Sequence, residues 1–229
     1  MLEVSTLNAF YGDSHIIKNI SFNLQDHESI AIIGRNGMGK TTLLNSLIGM
    51  HPIRSGNIRL NGVELSNSPS YERVRHGLAF VPQGRMIFPY LTVEQNIMTG
   101  TEYSGYKSVP DYIYRFFPVL EDMKYRKGGN LSGGQQQMLA IARALVADPK
   151  VLILDEPTEG IQPSIIKELA KILRALSEER HFAIIVSEQL LSFVLDLADR
   201  FLVIDRGEIV HEEHRDALNE SRLKSFLTV

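Results

Sequence analysis

The pattern of apolar and polar positions along the chain predicts an α/β protein. Short apolar runs alternate with helical patterns or turn residues, an order of elements typical of an α/β sheet. The predicted strands are residues 29–33, 58–60, 78–81, 151–154, 183–186 and 201–204. Two of them, 151–154 and 183–186, are continuously apolar. We expect these two in the centre of the sheet, because only strands covered on both faces lack polar positions.

The amino-acid composition of the sequence changes between residue 82 and about residue 148. Tyrosines, glycines and prolines cluster over 84–118, and residues 131–147 have helical composition. We predict a single domain over 1–229, with a core formed by 1–83 and 148–229 and an inserted, mostly helical subdomain at 84–147.

Composition narrows the classes of function. The net charge of -3 does not create the positive electrostatic field that attracts nucleic acid, so nucleic acid is a disfavoured partner. The chain has no cysteine, which excludes disulfides, thiolate zinc sites and cysteine nucleophiles. No apolar run approaches the roughly 20 residues that span a bilayer, and residues 1–4 lack the layout of a signal peptide. We expect a soluble chain, or one held at a membrane by a partner.

Residues 34–41 match the phosphate-loop motif G-x-x-x-x-G-K-[ST] at every required position. A predicted strand precedes the motif and a predicted helix, 41–48, follows it. In that context glycines let successive N–H groups converge on phosphate oxygens at a helix N-terminus. The nucleotide-binding candidates are Gly34, Arg35, Asn36, Gly37, Met38, Gly39, Lys40, Thr41 and Thr42. We expect Lys40 at the β- and γ-phosphates and the Thr41 hydroxyl on Mg²⁺; the alternative is a glycine-rich turn with an incidental lysine.

Two carboxylates, Asp155 and Glu156, end the apolar run 151–154. Open α/β sheets bind their ligands at the carboxyl ends of the strands. We expect Asp155 to serve Mg²⁺ or its water shell, and Glu156 to polarise the attacking water. In isolation an Asp-Glu-Pro sequence is more typical of a solvated turn, and its occurrence together with the phosphate loop reverses that preference.

A second candidate anion site lies at residues 131–135. Ser132 is a good helix N-cap, and Gly133 and Gly134 leave backbone donors open before Gln135. An ordinary serine-capped helix is the alternative for this stretch taken alone.

In this combination and order the motifs resemble the ATP-binding-cassette ATPases. The resemblance covers nearly the whole chain. It implies a P-loop NTPase fold with a mixed central sheet and an inserted helical subdomain, and ATP and Mg²⁺ as cofactors. It also implies that Tyr11 stacks on adenine and that Gln83 completes the shell of Mg²⁺ and water and reports to a membrane subunit.

The same resemblance implies partners. In this family the signature of one subunit, here Ser132 to Gln135, closes over the phosphate loop of another, so an isolated chain should be a poor ATPase. We therefore expect a second ATPase chain, in a heterodimer or a homodimer, together with transmembrane permease subunits and, indirectly, a periplasmic or extracellular solute-binding protein. The expected location is the cytoplasmic face of the inner membrane.

Two positions depart from the family pattern. Gln189 stands where the family usually has histidine, and a neutral amide can hydrogen-bond a γ-phosphate but cannot carry a proton. Gln162 stands where an aspartate normally crosses the dimer interface. The candidate catalytic residues are then Glu156, Lys40 and Gln189, and the metal ligands are Thr41, Gln83 and Asp155.

The motifs around residues 81–89, 156–166 and 186–189 resemble importer ATPases for branched-chain amino acids and, more closely, for urea or short amides. The expected function is ATP hydrolysis that powers import of such a solute. A branched-chain amino acid importer, a soluble cassette ATPase and a nucleotide-binding scaffold without turnover are the alternatives.

Overall fold

The computed structural model describes residues 1–227, which form two β-sheets and the helices packed on them. The strands are β1 (Leu2–Tyr11), β2 (Ser14–Leu24), β3 (Ser29–Ile33), β4 (Ile53–Leu60), β5 (Val63–Glu64), β6 (Leu78–Val81), β7 (Val151–Asp155), β8 (Ala183–Glu188), β9 (Arg200–Asp205) and β10 (Glu208–His214). The helices are α1 (Lys40–Ile48), α2 (Ser70–Arg75), α3 (Val93–Met98), α4 (Asp111–Phe116), α5 (Pro118–Asp122), α6 (Gly133–Leu145), α7 (Pro163–Arg180), α8 (Leu191–Leu197) and α9 (Glu220–Leu227). None of these helices is long and apolar enough to cross a bilayer.

The larger sheet has six strands in the order β10-β9-β3-β8-β7-β6. Strands β3, β6, β7, β8 and β9 are parallel, and β10 is antiparallel to β9. The mixed central sheet that the sequence predicted is therefore confirmed. The two continuously apolar strands, β7 and β8, have a paired strand on each side and are buried along their whole length.

A second, antiparallel sheet has the order β2-β1-β4-β5. The sequence prediction placed residues 58–60 with the strands of the α/β sheet, which is wrong, because they end β4 of this second sheet. Strand β1 starts with a half-buried alternation in which Leu2 and Val4 are buried while Glu3 and Ser5 are exposed. That period-2 pattern is the sequence signal for this sheet, and it differs from the continuous apolar runs on which the strand predictions rest.

Two hydrophobic cores lie on opposite faces of the six-stranded sheet. In β3, Ile30 and Ile32 belong to the core that the sheet shares with the antiparallel sheet and α1, whereas Ala31 and Ile33 belong to the core that contains α6, α7 and α8. Helix α1 follows β3 after the loop 34–39 and is packed into one of the two cores. This packing holds the first turn of α1 against the end of the parallel strands.

The described residues between β6 and β7 form helices α3 to α6 and no strand. Helix α6 lies within the predicted helical stretch 131–147. Its buried residues, such as Leu139 and Ile141, share a core with one face of the sheet. The division of the chain into a core and an inserted subdomain stays a prediction.

Candidate functional site

A pocket of about 370 Å³ opens at the carboxyl ends of the parallel strands. The loop after β3, the loop after β6 and the loop after β7 all contribute to it, as expected of an α/β sheet. Its lining residues are Tyr11, Ile16, Asn36, Gly37, Gly39, Lys40, Thr41, Thr42, Gln83 and Glu156. Candidates from four separate parts of the sequence therefore meet in one cavity.

The loop between β3 and α1 has a backbone that only glycine permits at two positions. Gly39 precedes α1 with a φ of 107°, a value that side chains disfavour. A Cβ at Gly34 would lie 2.4 Å from the carbonyl oxygen of Ile204 on β9. These two glycines turn the chain tightly into the first turn of α1 and direct its backbone N–H groups toward the pocket.

The Lys40 side chain is buried inside this loop. Its Nζ donates to the carbonyl oxygens of Gly34, at 2.8 Å, and Arg35, at 3.2 Å. The same ammonium lies 3.5 Å from Oε1 of Glu156. The cation is thus placed between the loop backbone and the acid that follows β7, where it can bind an anionic ligand of the loop.

Thr41 and Asp155 form an oxygen-rich pair next to this lysine. Asp155 is buried at the end of β7, and the hydroxyls of Ser187 and Thr41 hydrogen-bond to its carboxylate. Burial raises the pKa of Asp155 above its ordinary value, although both hydroxyls act in the opposite direction. Mg²⁺ prefers oxygen ligands, and Asp155 and Thr41 offer a carboxylate and a hydroxyl side by side. A bound cation would also compensate the unfavourable buried charge of the carboxylate.

Glu156 is the point at which three donors converge. Besides Lys40, the amide Nε2 of Gln83 donates to its Oε2 at 3.1 Å, and the amide Nε2 of Gln189 donates to its Oε1 at 3.2 Å. Gln83 donates in addition to Glu159, at 3.1 Å. The structure therefore brings together Lys40, Gln83, Glu156 and Gln189, which the sequence separates by up to 149 positions.

Gln189 also ties the loop after β8 to the phosphate loop. Its Nε2 donates to Oδ1 of Asn36 at 2.7 Å, in addition to its bond to Glu156. Both protons of this amide nitrogen are thus used within the pocket.

Tyr11 forms the outer wall of the pocket. Its ring is half-exposed and lies 4.2 Å from the ring of His51, between centroids, with a tilt of 37°. An exposed aromatic face at the edge of a phosphate pocket is the geometry that stacking on a base requires. Its role in binding adenine stays a prediction.

The signature residues Ser132 to Gln135 do not line this pocket. Ser132 is exposed and caps α6 through a reciprocal pair of bonds, in which Gln135 N donates to Ser132 Oγ at 3.4 Å and Ser132 N donates to Gln135 Oε1 at 2.9 Å. Gly133 packs under the carbonyl of Gly160, and Gly134 packs against Ile165. A role for these residues in phosphate binding would therefore require a second chain.

The remaining candidates contribute through the backbone or lie apart. Met38 accepts a backbone hydrogen bond from Gly207 at 3.0 Å, so it fixes the loop rather than lining the pocket. Gln162 is the N-cap of α7: its carbonyl oxygen accepts from the backbone of Ile165 and Ile166, but its side chain makes no capping bond. The structure gives Gln162 no contact with the pocket.

Two residues beside the pocket were not predicted from the sequence. Glu188 ends β8, is buried, and accepts hydrogen bonds from Thr158 and from the backbone of Gln189. Arg85 donates from Nη2 to the carbonyl oxygen of Glu159 at 2.7 Å. The signal for Glu188 was available, because the polar pair Ser187 and Glu188 ends the apolar run 183–186, much as Asp155 ends the run 151–154.

Comparison with known proteins decides the family. The family model described as ABC transporter matches residues 17–159, more than half of the chain. The chain belongs to the ABC transporter family. As a member of that family it is an ATPase subunit whose ATP hydrolysis is coupled to transport, and the resemblance inferred from the motifs is confirmed at this level.

Curated ABC transporter subunits match along nearly the whole chain. The high-affinity branched-chain amino acid transport ATP-binding protein BraG of Pseudomonas aeruginosa is 39% identical over 221 residues, which cover 95% of this chain and 94% of that protein. The probable branched-chain amino acid transport ATP-binding protein LivF of Archaeoglobus fulgidus is 34% identical over 212 residues, covering 91% and 90%.

A solved structure supports the ABC fold independently. The dimeric, post-hydrolysis structure of an ATP-binding cassette bound to ADP and Pi superposes with a TM-score of 0.81 and 23% identity, covering 94% of this chain and 99% of that one. At this identity the likeness shows the fold alone. The predicted P-loop ABC ATPase fold is thereby confirmed.

Proposed function

We propose that this chain binds and hydrolyses ATP to power import of a small solute, and that the solute is a branched-chain amino acid. The observation that carries the ATP site is the convergence of Lys40, Gln83 and Gln189 on the Glu156 carboxylate beside the phosphate loop. The solute class is supported by BraG and LivF, both described as branched-chain amino acid transport proteins. Urea or a short amide remains the second candidate, supported only by the motif resemblance.

In this proposal the phosphate loop holds the triphosphate by its backbone N–H groups and by Lys40. The Lys40 ammonium already lies in hydrogen-bonding contact with the loop carbonyls, so a phosphate oxygen would exchange with them. Thr41, Asp155 and Gln83 would hold Mg²⁺, which when bound neutralises phosphate charge. Tyr11 would stack on the adenine at the mouth of the pocket.

Glu156 is the proposed base. Its carboxylate is mostly shielded from solvent yet reached by three donors, so it is oriented toward the pocket. In that place it can accept a proton from water attacking the γ-phosphate. Gln189 acts only as a hydrogen-bond donor, because its amide does not titrate.

The proposed assembly explains the position of the signature. Ser132, Gly133 and Gly134 begin α6 outside the pocket of their own chain, so we place them over the phosphate loop of a second ATPase chain. A solved cassette of the same fold is dimeric, which supports the pairing of two such chains. A heterodimer and a homodimer both meet this requirement.

A second surface fits the membrane partner. A groove of about 400 Å³ follows the loop after β6, and its lining includes the exposed Met86 and Phe88 together with Tyr103. The same loop carries Gln83, which contacts Glu156. We propose that permease subunits dock here and hold the chain at the cytoplasmic face of the membrane, with a solute-binding protein acting from the other side.

The alternatives are a soluble cassette ATPase and a scaffold without turnover. The contacts among Lys40, Asp155, Thr41 and Glu156 are those of a competent hydrolytic site, which disfavours a scaffold. The full-length match to transport subunits disfavours a soluble enzyme.

The test uses the transporter complex purified through a tag on this chain and reconstituted in vesicles. ATPase activity should rise with binding protein and leucine but not with urea. Glu156→Gln should slow turnover about 10²-fold or more while ATP binding is retained. Full, solute-independent activity from the lone chain would contradict the importer, and stimulation by urea alone would replace the amino acid by the second candidate.

A further inference from the structure

A buried carboxylate beside the pocket has no part in the function proposed above. Glu188 ends β8 and is only 4% exposed. Its Oε1 accepts the backbone N–H of Thr158, at 3.0 Å, and the hydroxyl of the same residue. Its Oε2 accepts the backbone N–H groups of Gln189, at 2.8 Å, and Leu190, at 3.1 Å. One side chain thus joins the loop after β7 to the loop after β8.

Both of these loops carry a residue of the proposed hydrolytic site. Thr158 lies two positions after Glu156, and Gln189 directly follows Glu188. The two side chains then meet, with Nε2 of Gln189 3.2 Å from Oε1 of Glu156. The Glu188 carboxylate is therefore the second connection between the same two loops, on the buried side.

The backbone of Glu156 needs such support. Its φ of 47° lies in the left-handed region, which is uncommon for residues other than glycine and costs about 1–3 kcal/mol. On one side its N–H donates to the carbonyl oxygen of Ser187 at 3.0 Å. On the other side the chain is anchored at Thr158. Two consecutive residues of β8, Ser187 and Glu188, thus fix the conformation of Glu156.

A carboxylate suits four converging donors because it is an acceptor at both oxygens. Glutamine at this position would direct an NH₂ group toward N–H donors, and at least one loop would lose its anchor. Aspartate would keep the charge but is shorter by one methylene.

We propose that Glu188 is a positioning residue for ATP hydrolysis, which clamps the Thr158 and Gln189 loops and so sets the geometry of Glu156 and Gln189. The inference rests on the proposed role of Glu156 as the base. A displacement of about 1 Å at a reacting group can slow a reaction about 10²-fold, so a clamp of this kind acts on turnover more than on nucleotide affinity.

The experiment measures kcat and KM for ATP in the purified transporter complex. Glu188→Gln should lower kcat about 10- to 100-fold with KM changed less than about threefold. Thr158→Val, which removes only the hydroxyl donor, should lower kcat in the same direction by a smaller factor. Glu208→Gln, an exposed carboxylate on β10, is the matched control and should match the wild type.

The decisive comparison places both variants in a Glu156→Gln background. If Glu188 acts through Glu156, then Glu188→Gln should change the residual kcat of the Glu156→Gln variant by less than about twofold. The reason is that this background has no base at position 156 whose geometry Glu188 could set. If Glu188→Gln does not assemble into the transporter complex, the same comparison is made with Thr158→Val.

Two results overturn the positioning role alone. One is a wild-type kcat for Glu188→Gln or, where that variant does not assemble, for Thr158→Val, while Glu156→Gln is slow. The other is an equal fold-loss of kcat in the wild-type and the Glu156→Gln backgrounds, which indicates a general effect on folding. A wild-type rate for Glu156→Gln by itself overturns the proposed base, and the positioning role with it.

Discussion

At the scale of single residues, Asp155 shows a conflict between stability and ligand binding. Burial raises its pKa, so the folded state binds the proton more tightly than the unfolded chain. By linkage, the stability associated with this group is present at low pH and is lost as the pH rises above the ordinary aspartate range near 4. At neutral pH the carboxylate therefore destabilises the ligand-free protein.

We accordingly expect Asp155→Asn to stabilise the lone chain at pH 7 in the presence of EDTA, by roughly 0.5–2 kcal/mol, and to weaken binding of Mg-ATP. The gain should shrink as the pH falls toward the ordinary aspartate range, because the raised pKa lets the wild-type carboxyl bind a proton on the way. Thermal melts of both proteins across this pH range test it, with the exposed Asp122→Asn as control. A variant less stable than the wild type at pH 7 would refute the argument.

Gln189 leads to a prediction about pH dependence. Its amide contacts both Asn36 and Glu156 and does not titrate. Gln189→His would introduce a group with an ordinary pKa of about 6.5 at that point. The ratio of variant to wild-type kcat should then vary between pH 6 and 8, whereas the ratio for Gln189→Ala should stay flat. Equal profiles for the two variants would show that residue 189 does not act on the reacting groups.

At the scale of elements, the end of α1 depends on a side chain from α2. Arg73 is buried and donates to four carbonyl oxygens: those of Ser46 and Leu47 in the last turn of α1, and those of Ser66 and Ser68 in the preceding loop. Burial lowers the pKa of this arginine, so its charge is tolerated only because the carbonyls surround it. Helix α1 begins at the phosphate loop, and its other end is held by this guanidinium.

Arg73→Met should therefore destabilise the lone chain by roughly 2–4 kcal/mol, because it leaves buried carbonyls without donors. Arg73→Lys should recover part of the loss, and Arg75→Met on the exposed side of α2 should stay within about 0.5 kcal/mol of the wild type. Midpoints of urea unfolding measure all three. Similar midpoints for Arg73→Met and Arg75→Met would contradict the capping role.

The elements differed in how far the sequence predicted them. Strands β7 and β8 were found because their apolar runs lack polar positions, and the phosphate loop because its spacing is specific. Strands β1 and β2 were not predicted, because half or fewer of their residues are buried. The bonds of Gln189 to Asn36 and Glu156 could not be predicted, since they depend on which strands lie next to one another in the sheet.

At the scale of the whole molecule, the candidate residues fall into two groups: those in the pocket of the chain, and those that lie outside it and could contact a second chain. The phosphate loop and Glu156 line the pocket, whereas the exposed Ser132 and the glycines that follow it begin α6 outside the pocket. The sequence identified both sets of residues, through the spacing of the phosphate loop, the apolar run before the carboxylates and the capping serine with its paired glycines. It could not show that they lie apart, because that follows from the packing of α6 on the sheet.

The alternation along the parallel strands has a thermodynamic consequence. In β7, Val151 and Ile153 belong to one hydrophobic core and Leu152 and Leu154 to the other, as neighbouring residues of β3 and β8 also do. Neither core can melt without disrupting strands that also build the other core. We expect the lone chain to unfold in a single calorimetric transition whose van't Hoff and calorimetric enthalpies agree. Two resolved transitions would contradict this coupling and would indicate an independent cooperative unit, for which the helices between β6 and β7 are the candidate segment. Heat capacity thus distinguishes an insertion in the sequence from a separate unit of folding.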